Sequence, residues 1–96
     1  YIDDVVYANL AAATADPAQC SGKAYNVAGG SAHSLMDLLR ILGEILEVAP
    51  EPVHVDARPG DVRHTRADIT AANQDLGYTP SVTFEDGLRR TADWFQ

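Results

Sequence analysis

Arg58, Arg63 and Arg66 place three of the chain's seven basic residues within nine positions, in a sequence whose formal net charge is −7. They lie in the stretch Arg58-Pro59-Gly60-Asp61-Val62-Arg63-His64-Thr65-Arg66-Ala67-Asp68. Guanidinium groups gathered around a Pro-Gly turn can hold an anion, because each presents a planar fork of donors that matches phosphate oxygens. Gly60 lets backbone approach closely, and Asp61 can accept hydrogen bonds from a ribose diol. Asp61 repels phosphate, so its useful place is beside the sugar, and a nucleoside diphosphate suits such a turn. The same arginines also read as solvated loop charges pairing with Asp56, Asp61 and Asp68, and spacing alone does not choose between the two.

Other side chains offer less chemistry. His33, His54 and His64 are too scattered for metal-ligand spacing and have no cysteine partners, and Cys20 is the only cysteine, so neither a disulfide within the chain nor a thiolate zinc cluster can form. Asp3-Asp4 at the start of a helical pattern reads as a cap and a dipole partner rather than an acid/base pair. Tyr1 and Tyr25 could line a pocket. Trp94 adjoins Phe95, which fits the helical stripe better. Nothing in the sequence argues a Ser-His-Asp or Cys-His arrangement.

The elements that must position the arginine turn alternate along the chain. A helix capped by Asp3 or Asp4 runs to about Thr14, with Val6, Leu10 and Ala13 on one face, and Asp16-Pro17 ends it. Lys23 to Ala28 is a strand candidate stopped by Gly29-Gly30. Ser34-x-x-Asp37 opens a helix in which Leu35, Leu38, Leu39, Leu42, Ile45 and Leu46 form an apolar stripe. Pro52 to Asp56 alternates like a strand and delivers the chain into the arginine turn. Asp68 caps a short helix closed by Gly77, and Thr83-x-x-Asp86 opens the last helix, with Phe84, Leu88, Thr91 and Phe95 on one face. The expectation is an α/β fold of about four helices and two or three short strands.

Ninety-six residues, 46% of them hydrophobic, make one domain with a modest core. No segment approaches the ~20 apolar residues of a membrane span, and no signal-like segment opens the chain. A soluble, cytoplasmic setting is expected, with no membrane partner. The acidic balance argues against nucleic acid, whose partners show a basic footprint.

Taken in order, Tyr-Ile-Asp-Asp-Val-Val at 1–6, Tyr-Asn-Val-Ala-Gly-Gly at 25–30 followed by Ser34-Leu35, Arg-Pro-Gly-Asp at 58–61, Ala67-Asp68 and Leu-Gly-Tyr-Thr-Pro at 76–80 form a pattern. It resembles the C-terminal part of the NAD-dependent epimerase/dehydratase family, the extended short-chain dehydrogenases acting on nucleotide sugars, such as UDP-glucose 4-epimerase. The resemblance covers essentially the whole chain. It implies that residues 1–96 form a single C-terminal substrate-binding portion of the extended short-chain dehydrogenase fold. It also implies a nucleotide diphosphate sugar as ligand, with Arg58 contacting the diphosphate and Asp61 the ribose. A further phosphate-binding arginine of the family precedes the Tyr-Ile-Asp-Asp stretch and has no counterpart here.

The family's chemistry does not transfer with the pattern. No Gly-x-Gly-x-x-Gly or Gly-x-x-Gly-x-x-Gly fingerprint follows a strand. There is no Tyr-x-x-x-Lys either, since Lys23 is the only lysine. The N-terminal NAD-binding Rossmann domain is thus expected to be absent, with NAD implied for the full-length enzyme and no cofactor bound by this portion, which would be inactive by itself. Two other readings stay open: a free-standing nucleotide-sugar-binding module, and a structural or oligomerisation piece without a ligand. Short strands and an apolar stripe that lack the rest of a sheet would favour a homodimer.

Overall fold

The structure is a computed structural model that describes all 96 residues. Five helices follow one another: α1 (Ile2–Thr14), α2 (Pro17–Cys20), α3 (Leu35–Leu46), α4 (Thr70–Leu76) and α5 (Phe84–Phe95). No residue is in a strand, so the α/β expectation is corrected to an all-helical piece. The reason is that a strand exists only as a member of a hydrogen-bonded ladder. The 23–28 and 52–56 segments have strand composition, but the backbone bonds outside the helices lie at caps and turns, and the one that reaches either segment is a turn bond from the Lys23 N–H to the Cys20 carbonyl at 3.2 Å.

The helix starts follow local chemistry. At α3 the Ser34 hydroxyl accepts from the Asp37 N–H at 3.0 Å, while the Asp37 carboxylate accepts from the Ser34 N–H at 3.0 Å, a complete capping box. At α5 the Thr83 hydroxyl accepts from the Asp86 N–H at 3.1 Å. Asp68 accepts from the Thr70 N–H at 2.9 Å ahead of α4. Gly77 closes that helix at φ 67°, its N–H donating to the Asn73 carbonyl at 3.0 Å. Asp16-Pro17 ends α1 as expected, and also starts α2: Asp16 accepts from the Ala18 N–H at 2.9 Å, with Pro17 in the first turn.

Packing departs from the expected faces. Helix α1 lies on α4, with Ala8 against Ala72 and Asp4 buried toward Ser81 and Val82, and its Val6 and Leu10 point outward, 52% and 63% exposed. Small side chains let the two helices approach, which a search for large apolar residues does not detect. Ala8, Ala72 and Tyr78 form the buried centre, flanked by Tyr25, Val27, Ile69 and Leu76. The Tyr78 hydroxyl donates to the Ala28 carbonyl at 2.8 Å, tying the 23–28 segment to this centre.

Helix α3 packs on α5. Leu38, Leu39, Leu42 and Ile45 of the expected stripe are half-buried, Leu35 is exposed, and Ile41, outside that stripe, is the buried apolar side chain. On α5 the close contacts are made by Gly87 and Ala92, with Phe84 and Leu88 half-buried, while Phe95 faces solvent. After α3 the chain turns sharply. A Cβ on Gly43 would stand 2.8 Å from the Val48 carbonyl oxygen and 2.9 Å from Pro50 Cδ.

Candidate nucleotide-binding turn

Arg58 to Asp61 form a β-turn in which the Asp61 N–H donates to the Arg58 carbonyl at 3.2 Å. Pro59 fixes the first central φ, and Gly60, at φ 92°, supplies the positive φ that the second requires. Arg58 and Asp61 stand at the two ends of this turn. Every residue from Glu51 to Arg66 is exposed.

The arginines separate into two kinds. Arg58 and Arg63 make no side-chain hydrogen bond or ion pair, and neither does Asp61. The ion pairs of the molecule are Lys23–Asp75, Arg40–Glu44, Arg89–Glu85, Arg90–Asp3 and Arg90–Asp86. Arg66 is engaged: its Nη2 donates to the Gly30 carbonyl at 2.9 Å. Beside it, hydrogen bonds from the Thr70 hydroxyl and N–H, with a smaller pull from Arg66, hold the Asp68 carboxyl below the usual carboxylate range.

The Asp3-Asp4 pair does not cap α1, whose N-cap is Tyr1 without a side-chain bond. Asp4 is instead a buried carboxylate. It accepts from the Ser81 N–H at 2.9 Å, the Ser81 hydroxyl at 2.7 Å and the Val82 N–H at 3.3 Å. Burial pushes its pKa up, but the hydrogen bonds from Ser81 and Val82 outweigh that effect and leave it lowered. Asp3 meets Arg90 at 3.0 Å, and that guanidinium lies over the Tyr1 ring, 5.5 Å from its centre. The signal for Asp4 was present in the small-residue face shared by Asp4, Ala8 and Ala11, at helical spacing.

A groove of about 830 Å³ opens between the 29–35 loop, the 80–84 loop and α5, with Thr65 on its rim. Its wall carries His33, stacked on Phe84 at 4.0 Å with the rings 9° apart and joined to the Ser31 hydroxyl at 2.8 Å. Tyr1 also lines it; Arg58 and Asp61 do not. Tyr25 belongs to a different cluster, where its hydroxyl and Lys23 both donate to Asp75 at 2.8 Å. His54 and His64 are exposed, Cys20 is half-buried, and Trp94 is exposed with its ring edge-on to Phe95.

No family model matches the chain. It is 34% identical to UDP-glucuronate 4-epimerase 3 of Arabidopsis thaliana over 106 residues, covering 99% of this chain and 25% of that protein. It is also 34% identical to the dTDP-L-rhamnose 4-epimerase of Burkholderia thailandensis over 94 residues, covering 97% and 25%. Among solved structures, UDP-glucose 4-epimerase from Thermotoga maritima, crystallised with UDP-glucose, superimposes with a TM-score of 0.87 at 37% identity over 99% of this chain and 29% of that one.

The fold and the order of segments thus match one portion of known nucleotide-sugar epimerases. The chain belongs to the NAD-dependent epimerase/dehydratase family and matches the C-terminal part of its epimerase members. It spans about a quarter of the length of the curated relatives it matches. No helix is long and apolar enough to cross a membrane.

Proposed function

We propose that this chain supplies the substrate-binding contacts of an NAD-dependent nucleotide-sugar 4-epimerase, Arg58 holding the diphosphate and Asp61 the ribose. The observation that carries this reading is an unpaired guanidinium and an unpaired carboxylate at the two ends of one exposed turn. A guanidinium and a carboxylate on one turn suit a ligand with a charged and a neutral polar part side by side. The relatives add the ligand class, since their names specify UDP- and dTDP-sugars and the solved neighbour was crystallised with UDP-glucose.

The residues present do not fit the nicotinamide cofactor. No strand leads through a glycine turn into a helix here, and the first N–H groups of α3 face its own capping box. Dinucleotide binding and the redox step therefore fall to residues outside Tyr1–Gln96. The part assigned to this chain is ligand recognition.

Calorimetric titration of a UDP- or dTDP-sugar into the full-length protein tests the reading. Arg58→Ala should weaken binding about ten- to a hundredfold, the range expected for a hydrogen bond to a charged group. Arg58→Lys should recover part of the loss, because a point charge does not reproduce the guanidinium fork. Asp61→Ala should weaken nucleoside recognition. Unchanged affinity in Arg58→Ala would return the cluster to solvated loop charges.

A further inference from the structure

We propose that Arg66 is the positioning residue of the nucleotide-binding turn, its bond to the Gly30 carbonyl fixing where Arg58 and Asp61 stand. The inference rests on the reading of Arg58 and Asp61 given above. Residues 51–66 form an exposed arm without a helix or a ladder to stiffen it. At its near end the chain is set by close approach, since Pro50 lies against Gly43 with no room for a side chain between them. At its far end one side-chain bond ties it to the body, from Arg66 Nη2 to the Gly30 carbonyl at 2.9 Å.

The receiving side of that bond is itself held. Gly30 sits at φ 74°, and a Cβ there would stand 3.3 Å from Ile69 Cδ1, so its backbone is fitted against the start of α4. Two residues past Arg66, the Asp68 carbonyl accepts from the Asn26 side chain at 3.3 Å, so the 26–30 and 66–68 segments are joined at two points. Between the two anchors no other side-chain bond reaches the body from the arm. An arm held only at its ends loses more conformational freedom on binding if one hold is removed, and ligand affinity falls by that amount. Arg66 is assigned an action through Arg58 and Asp61; its one Nη2 bond leaves other guanidinium donors free, so a direct ligand contact is the alternative that the double-mutant cycle separates.

The experiment is a double-mutant cycle on the full-length protein, with UDP and dTDP as probes in calorimetric titrations and thermal melting as a control. Arg66→Ala should weaken binding about three- to tenfold, with a melting temperature close to that of the unchanged protein. Arg66→Lys, which can still donate to the carbonyl, should recover part of the loss. The decisive value is the Arg58→Ala/Arg66→Ala double variant, whose loss should fall short of the product of the two single losses.

A double loss equal to that product would overturn the proposal, since Arg66 would then act independently of Arg58. It is also overturned by Arg66→Ala binding within twofold of the unchanged protein while Arg58→Ala is impaired, or by Arg66→Ala failing to fold. Were Arg58→Ala silent, or neither probe bound by the unchanged protein, the reading of the turn would fail and this inference with it.

Discussion

Asp4 and Arg58 are both charged, and their surroundings demand opposite things of them. A carboxylate out of water must be fully hydrogen-bonded, and Asp4 accepts three bonds from Ser81 and Val82. Asp4→Ala should cost about 1–3 kcal/mol near neutral pH, because it removes the hydrogen bonds that Ser81 and Val82 donate to a charged group. The pH dependence has a definite sign. A folded-state pKa below the unfolded one stabilises above the unfolded value of about 3.9, and that stabilisation is lost as pH falls through the folded value. Denaturant titrations of both proteins should therefore converge below about pH 4; a gap that stays constant with pH would reject the assignment. The turn that carries Arg58 was legible in the sequence because it is local. Asp4 was not, because its partners lie 77 and 78 positions away and an aspartate at a helix start ordinarily reads as a cap.

Tyr25 gives a second test at this scale. Burial, reinforced by its hydrogen bond to Asp75 and that carboxylate's charge, pushes its phenol up to about 12. The raised pKa stabilises the fold below the unfolded value of about 10, and that contribution is lost as pH rises through about 12. Asp75→Asn should move Tyr25 ionisation toward the ordinary tyrosine range, followed by ultraviolet difference absorbance. No movement would mean that Asp75 is not what holds the proton.

At the scale of elements, helices were legible where their ends carry their own signals. Ser34, Gly77 and Thr83 act at the helix ends assigned to them, through bonds spanning three to four residues, whereas Asp68 stands one residue before the N-cap Ile69 and accepts from Thr70. Ser34→Ala should destabilise the fold by about 1 kcal/mol, measured by denaturant unfolding. The strands were not legible as absent, since alternation in 52–56 records a preference while the ladder partner is a fact about other residues. Helix faces failed for a related reason: Ala8, Gly43, Gly87 and Ala92 are buried by close approach, and a periodicity search weights bulk. Gly43→Ala tests this. Helix propensity favours alanine by about 1 kcal/mol, but the new methyl would meet the Val48 carbonyl and the Pro50 ring. Overpacking of about 1–3 kcal/mol should prevail, and a variant more stable than the parent would show that the turn after α3 yields easily.

The whole molecule is more open than its length calls for. A compact protein of this mass would expose about 5,400 Å², whereas this chain exposes 7,672 Å². Its radius of gyration is 16.7 Å, against about 12.5 Å for a compact domain of this length. Ile2, Val6 and Leu10 on the outer side of α1 and Trp94 and Phe95 at the end of α5 contribute to the excess. Such surface requires a cover. The 96-residue chain expressed alone should be marginally stable or self-associated, and should not interconvert nucleotide sugars with NAD. Sedimentation showing a monomer at high concentration, with cooperative unfolding at high temperature, would contradict the first expectation. Sugar epimerisation at enzymatic rates by this chain alone would contradict the second.

The Asp4 clasp also has a consequence for synthesis. Helix α1 emerges from the ribosome before the residues that accept its buried face, Ala72 and Tyr78, and those that satisfy its carboxylate, Ser81 and Val82, which come about 64 to 78 residues later. At about 5–20 residues per second the wait lasts about 4–15 s. For that interval α1 is a short helix with no partner from this chain and apolar side chains on its outer side, and isolated helices of such length are marginal in water. Translation rate between Thr14 and Ser81 thus sets how long the nascent helix is open to capture, and slowing codons there should lower the yield of folded protein more than the same codons placed after Val82.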